Sequence, residues 1–159
     1  MGYAEDDAEG QARLNAFRQE LAGPGWIEGQ TLKTDIRWSA GDVERAAILA
    51  GELVGLQPDA ILANSTPMTA ALHRHTQTIP IVFVPASDPI GSGFVASLSH
   101  PGGNITGFIN LESSLIQKWL ELLKEIAPGV TRAAVIFNPE TAPYADYYLH
   151  SLPVAAEVE

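Results

Sequence analysis

Two short apolar runs, each ending in a small polar cluster, constrain the fold of this chain more than any other feature. The first, D-A-I-L-A-N-S-T, spans residues 59–66, and the second, I-P-I-V-F-V-P-A-S-D, spans residues 79–88. Runs of this length and composition are typical of strands that are buried on both faces of a parallel sheet. In open parallel sheets, ligands bind beyond the carboxyl ends of the strands. We therefore expect one rim of the sheet to carry a binding site formed by Asn64, Ser65, Thr66, Ser87 and Asp88.

The rest of the chain alternates between helix and strand patterns. Apolar spacing predicts helices near residues 8–21, 43–56, 67–77, 91–98, 113–126 and 141–152. It predicts strands near residues 31–38, 60–63, 81–84, 105–109 and 132–137. The first of these alternates apolar and polar residues, which is typical of a strand at a sheet edge with one solvated side. Asp42 is expected to cap the helix at 43–56. This alternation indicates an α/β fold, a three-layer sandwich around a parallel sheet. A doubly wound sheet has its first strand in the middle, whereas this sequence opens on a helix. We therefore expect the first strand of the sheet to lie outside it.

Composition excludes several classes of function. The chain has 159 residues, 46% of them hydrophobic and 18% charged, which is the composition of a globular domain with its own core. Its net charge of −10 argues against nucleic acid and against an anionic membrane surface as partners. There is no cysteine, so disulfides, thiol catalysis and cysteine metal sites are excluded. The acidic start, M-G-Y-A-E-D-D, is unlike a signal peptide, so a leader would have to lie outside this sequence.

Each candidate site residue has a structural alternative. Ser65 and Thr66 precede a predicted helix, where exposed N–H groups favour an anion, but both residue types are also ordinary helix caps. Asp88 could accept a hydrogen bond from a ligand ammonium group or could fix a turn. Thr106 follows the start of a short strand and could line a cleft.

Catalytic and metal-binding patterns are weak. No G-x-S-x-G elbow occurs, and the rim residues do not supply a nucleophile with a base, so we predict no catalytic residue and no cofactor. His73 and His75 are two residues apart, which turns them to different sides of a helix, so we predict no metal site. An α/β enzyme and the effector-sensing domain of a transcription regulator stay as alternatives to a solute-binding protein.

The order of motifs resembles a known family. The runs A-N-S-T-P-M-T-A-A-L, I-P-I-V-F-V-P-A-S-D-P-I-G-S-G-F, K-W-L-E-L-L-K-E-I-A-P and F-N-P-E, together with W-I-E-G-Q-T-L, are similar to those of ABC transporter substrate-binding proteins of the periplasmic-binding type I group. The resemblance covers nearly the whole chain, although members of the group are about twice as long.

The resemblance implies a function and a division of the chain. Such proteins have two α/β lobes and hold a small solute, often an amino acid or related carboxylate, in the cleft between them. They are periplasmic or lipid-anchored outside the cytoplasm and deliver the solute to an ABC permease. Residues 1–127 would be the first lobe without its first strand, and residues 128–159 would begin the second. Asn138 and Tyr3 would join the ligand site from the second lobe and from the end of the missing strand.

Two consequences follow for a chain of this length. With most of the second lobe outside the sequence, we expect the chain to bind its solute weakly or not at all. Trp119 and the leucines around it are expected to face the core, whereas an aromatic face at Tyr144, Tyr147 and Tyr148 is expected to be exposed. Exposed apolar surfaces of this kind favour self-association.

Overall fold

A parallel sheet of three strands forms the centre of the protein. The computed structural model describes residues 1–110, 114–139, 142 and 145–149. The strands are β1 (Ile61–Ala63), β2 (Ile81–Ala86) and β3 (Ile105–Ile109), in the order β1-β2-β3 and all parallel. Ile61 lies opposite Ile81, which lies opposite Ile105. The predicted α/β class and parallel sheet are therefore confirmed.

Five helices accompany these strands in the described part of the chain. They are α1 (Ala8–Ala22), α2 (Val43–Gly55), α3 (Thr66–His75), α4 (Ser114–Ile126) and α5 (Ala145–Leu149). The Asp42 carboxylate accepts a hydrogen bond from the Arg45 N–H at 2.9 Å, so the predicted cap of α2 is confirmed. None of the helices described is both long enough and apolar enough to cross a membrane.

The core lies on one face of the sheet. Ile81, Phe83 and Ile105 are almost fully buried and pack with apolar side chains of α2 and α3. The opposite face is more open, since Leu62 is 44% exposed and Phe108 is 68% exposed. The runs around β1 and β2 are thus buried on one side and partly solvated on the other in this chain.

The segment that was predicted as an edge strand, residues 31–38, is extended without a strand ladder. Its side chains alternate as predicted, with Leu32 and Ile36 half-buried and Trp38 buried. The described residues place beside it only an isolated bridge between Glu28 and Leu32 and the backbone of residues 1–3. A ladder needs a full-length neighbour to exchange N–H···O bonds, and none of the described residues supplies one for this stretch.

Two other predicted elements are wrong in the described residues. Residues 91–98 form turns rather than a helix, because Gly93 has a positive φ of 73° and Phe94 turns back so that its N–H reaches the Pro89 carbonyl at 2.9 Å. Residues 132–137 form no strand, and Ile136 is 96% exposed, because no neighbouring strand in the described part supplies hydrogen bonds. The predicted helix at 141–152 is described at Ala145–Leu149 only.

The apolar side of α4 is the largest departure from the expected core. Ile116 is buried, but Trp119 is 49% exposed and Ile126 is 82% exposed. The prediction that Trp119 faces the core is therefore wrong, because none of the described elements packs over this end of the helix. Tyr148 is buried in α5, contrary to expectation, Tyr144 lies outside the described residues, and the Tyr147 side chain is not described. Self-association stays a prediction.

Candidate functional site

A cavity of about 380 Å³ lies at the carboxyl ends of β1 and β2. This size falls within the roughly 300–1,000 Å³ that is usual for small-molecule sites. The sheet contributes residues that follow its strands, and the start of the chain and α1 contribute the opposite wall. The lining residues are Gly2, Tyr3, Arg13, Gly41, Asn64, Ser65, Thr66, Pro67, Met68, Pro85, Ser87 and Asn110.

Ser65 is the strained residue of the cavity. It has φ 88° and ψ 156°, a backbone conformation that is almost confined to glycine and costs about 1–3 kcal/mol for other residues. The backbone of Ser65 is held in place by a hydrogen bond from its N–H to the Pro85 carbonyl at 3.2 Å. Although Ser65 precedes α3, its side chain makes no cap hydrogen bond. The hydroxyl is therefore available at a helix N-terminus, where the helix dipole favours an anion.

Thr66 has a different role from its neighbour. Its hydroxyl oxygen accepts a hydrogen bond from the Ser87 N–H at 2.9 Å, and it lies 3.5 Å from the Ser87 carbonyl oxygen. Both residues are 3% exposed. The hydroxyl of Thr66 thus joins the start of α3 to the end of β2, and it fixes the shape of the cavity rather than offering a free group to a ligand.

An irregularity in β2 directs Ser87 towards β3. The register between β2 and β3 shifts between Phe83 and Ala86, and such bulges commonly re-aim side chains beside binding sites. Beyond the shift, the Ser87 hydroxyl donates to the Asn110 side-chain oxygen at 3.1 Å. Asn110 follows β3 directly, so the ends of two strands are joined at the cavity. The Asn110 oxygen keeps a second lone pair for a ligand donor.

Tyr3 and Arg13 form the opposite wall. The Arg13 guanidinium lies 5.6 Å from the centre of the Tyr3 ring, a cation–π distance. It is also paired with Glu9 one turn earlier on α1, at 2.5 Å. Hydrogen bonding to Glu9 raises the pKa of Arg13 above its ordinary value, so the side chain is cationic at all working pH values. The wall therefore combines an aromatic ring with an Arg13–Glu9 ion pair.

Gly10 allows this wall to form. A Cβ at residue 10 would lie 2.8 Å from the Tyr3 Cβ and 3.1 Å from the Trp38 ring, so Tyr3 packs on α1 where the helix has no side chain.

We expect Gly10→Ala to displace Tyr3 and weaken ligand binding, even though alanine favours a helix by about 1 kcal/mol over glycine. Tyr3 is only half-buried and can move aside, so the free energy of unfolding should change by less than about 1 kcal/mol. The fluorescence of Trp38 would report the displacement of Tyr3, and ligand titration would report the loss of binding. Gly55→Ala is the control, because no atom lies within 4 Å of a Cβ at residue 55. Unchanged Trp38 fluorescence in Gly10→Ala would contradict this packing.

The cavity brings together five of the eight predicted site residues. Tyr3, Asn64, Ser65, Thr66 and Ser87 line it. Within this set, the Asn64 side-chain amide donates to the Val84 carbonyl at 2.9 Å, so its oxygen is the atom left for a ligand.

The other three predicted residues lie elsewhere. Asp88 is 8% exposed, and its carboxylate accepts the Gly91 N–H at 2.8 Å, the turn-fixing alternative. Thr106 is exposed within β3 rather than at its end. Asn138 is exposed beyond α4 and does not reach the cavity.

Sequence reasoning missed Asn110 and Arg13. Asn110 comes directly after β3, so the rule that selected Asn64 and Ser87 would also have selected it. Arg13 carried no comparable signal, because only the packing of Tyr3 against α1 brings it to the strand ends. In the described part of the chain, no three His, Asp or Glu side chains are grouped as metal ligands would be.

The comparisons with known proteins agree on one family. Residues 5–146 match the family described as ABC transporter substrate binding protein. A tyrosine-binding protein of Clostridioides difficile is 34% identical over 122 residues, which are 77% of this chain and 35% of that protein. The family is one of substrate-binding proteins rather than of enzymes.

Two solved structures have the same fold. A conserved domain protein of Vibrio cholerae is 36% identical, with a TM-score of 0.78 over 91% of this chain and 49% of that one. The ABC domain from Streptococcus pneumonia in complex with L-Trp is 26% identical, with a TM-score of 0.78 over 90% of this chain and 47% of that one. The chain thus spans about a third to a half of the length of these relatives. The resemblance predicted from the sequence motifs is confirmed.

Proposed function

This chain belongs to the family of ABC transporter substrate-binding proteins, and from that premise we propose that it contributes half of the ligand site of an amino-acid uptake system. The observation that carries the proposal is the cavity at the ends of β1 and β2, with a free serine hydroxyl at a helix start and an aromatic ring beside an Arg13–Glu9 ion pair on the opposite wall. The ligand would be an amino acid, with aromatic ones favoured. The relatives named as tyrosine-binding and as a complex with L-Trp support this class.

The chemistry of the cavity suits the two ends of such a ligand. An α-carboxylate would lie at the start of α3, where Ser65 offers a hydroxyl and the helix dipole is positive. The ammonium group would donate hydrogen bonds to the side-chain oxygens of Asn64 and Asn110. An aromatic side chain would lie against Tyr3, and aromatic pairs of this kind contribute about 0.5–1.5 kcal/mol beyond the area that they bury.

The rest of the proposal concerns the longer family protein. Residues 1–127 would form one lobe, residues 128–159 would begin a second lobe, and the ligand would be held in the cleft between them. Asn138, which is exposed after α4, would then contact the ligand from the second lobe. The assembled protein would work outside the cytoplasm and deliver its solute to an ABC permease.

A thermal-stability screen tests the proposed ligand class. The 159-residue chain is heated with each of the 20 amino acids at millimolar concentration, beside the tyrosine-binding relative. Stabilisation by a ligand grows as RT ln(1 + [L]/Kd), so weak binding still raises the melting temperature at high concentration. We expect L-tyrosine or L-tryptophan to give the largest rise, smaller in this chain than in the relative.

Two serine variants locate the effect. Ser65→Ala should remove most of the rise, whereas Ser99→Ala, at an exposed position away from the cavity, should keep it. An equal response to all amino acids, or a full response in Ser65→Ala, would overturn the proposal.

A further inference from the structure

Arg13 is the single charged residue among the described residues that line the solute cavity, the cavity of about 380 Å³ at the carboxyl ends of β1 and β2. Its guanidinium carbon lies 5.6 Å from the centre of the Tyr3 ring. The proposed contacts of the ligand carboxylate and ammonium groups involve Ser65, Asn64 and Asn110, so they leave Arg13 without a role. Its position over the Tyr3 ring, against which an aromatic ligand would lie, indicates a role in placing that ring.

Two positions of α1 that are three residues apart hold Tyr3. Gly10 leaves room for the base of the tyrosine side chain, since a Cβ at residue 10 would lie 2.8 Å from the Tyr3 Cβ and 3.0 Å from its Cγ. Arg13 follows on the same side of the helix, because residues three apart are neighbours on a helix surface. It therefore reaches the ring itself, and it limits on one side the rotation of a side chain that is only half-buried.

Glu9 holds the guanidinium group of Arg13 in place. The Arg13 Nε–H and Nη2–H both donate to the same Glu9 carboxylate oxygen, at 3.1 Å and 2.5 Å. Two bonds to one oxygen restrict the rotation of the planar guanidinium group. The two side chains are 47% and 63% exposed, so the pair adds little to the free energy of unfolding. Its main effect is therefore on the position of a side chain rather than on stability.

We propose that Arg13 is a positioning residue, which fixes the Tyr3 ring for contact with an aromatic ligand and so gives the site its preference for aromatic over aliphatic amino acids. Attraction between the guanidinium group and the ring keeps one face of the ring occupied and leaves the other face and the edge for the ligand. Glu9 acts through Arg13. This inference rests on the proposed amino-acid function and adds the residue that selects within that class of ligand.

A comparison of two ligands with identical α-groups tests this role. L-Tryptophan and L-leucine carry the same carboxylate and ammonium groups, so the effect of a variant on those groups cancels in the ratio of the two dissociation constants. We expect Arg13→Met, which keeps an unbranched apolar stem, to reduce the preference for tryptophan about threefold. Both constants come from nuclear magnetic resonance titrations of the labelled 159-residue chain, followed at the Ser65 N–H.

Two further variants separate positioning from net charge. Glu9→Gln makes the net charge less negative, whereas Arg13→Met makes it more negative, so an effect of charge would be opposite in the two. A positioning role predicts that both reduce the preference for tryptophan, Glu9→Gln by about twofold because the glutamine oxygen still accepts a hydrogen bond. Arg74→Met is the matched control, since it removes the same charge from an exposed position of α3 outside the cavity lining, and it should leave the preference unchanged.

The Tyr3 ring provides a measurement that needs no ligand. Its proton signals should shift in Arg13→Met and in Glu9→Gln, because the guanidinium group is lost or moves, and should stay in place in Arg74→Met. Unmoved ring signals in Arg13→Met, or an unchanged or increased preference for tryptophan, would overturn the inference and leave the amino-acid response at Ser65 in place. Failure of both amino acids to bind the unmodified chain would instead contradict the proposed function, and the inference would fall with it.

Discussion

Gly107→Ala is expected to lower the free energy of unfolding by about 3 kcal/mol. A Cβ at residue 107 would lie 2.2 Å from the Phe83 carbonyl oxygen and 2.6 Å from its ring. Phe83 is 1% exposed and belongs to the core, so its ring cannot move aside into solvent. The backbone oxygen belongs to β2, so relief of the clash would have to separate β2 from β3.

Urea unfolding followed by circular dichroism would measure this loss. Gly103→Ala is the matched control, because it precedes the same strand and no atom lies within 4 Å of a Cβ there. The control should unfold within about 0.5 kcal/mol of the original chain. A Gly107→Ala variant as stable as the control would show that β2 and β3 are not packed as described.

Thr66→Val is expected to cost about 1–3 kcal/mol and to weaken ligand binding as well. Valine has nearly the shape of threonine but no oxygen, so the Ser87 N–H would be buried without its acceptor. The same bond holds the start of α3 against the end of β2. Its loss would let two walls of the solute cavity separate.

Two further variants distinguish this role from general packing. Thr66→Ser keeps the hydroxyl and should lose less stability. Thr69→Val removes another buried hydroxyl, which donates to the Ser65 carbonyl. That carbonyl also accepts the Thr69 N–H at 3.1 Å and keeps a partner without the hydroxyl. Thr69→Val should therefore lose less stability than Thr66→Val. Equal losses in Thr66→Val and Thr69→Val, measured by urea unfolding, would contradict the bridging role.

The rim of the sheet was predictable because it depends on local sequence. An apolar run followed by small polar residues places those residues at a strand end, and this rule selected Asn64, Ser65 and Ser87, which line the cavity. The sequence could not separate the roles of Ser65 and Thr66, because both residue types cap helices. Only the positive φ of Ser65 and the bond from Thr66 to Ser87 show which hydroxyl is free.

Features that depend on distant partners were not predictable. The alternation at residues 31–38 matches the burial of its side chains, but the strand predicted there is wrong, because a strand also needs a neighbour and the backbone of Met1–Tyr3 pairs only with its end. The exposure of Trp119 has the same origin, since an amphipathic pattern shows which side of a helix is apolar and not whether anything covers it. Arg13 joins the site through a contact with Tyr3 that no sequence spacing indicates.

The most direct test of the solute cavity is a nuclear magnetic resonance titration of the isotopically labelled chain with L-tryptophan. The account predicts the largest shifts at the backbone amides of Ser65, Met68, Ser87 and Asn110, which surround the cavity at the strand ends. Shifts confined to the open sheet face around Thr106 and Phe108, with these four amides unchanged at saturating ligand, would contradict it.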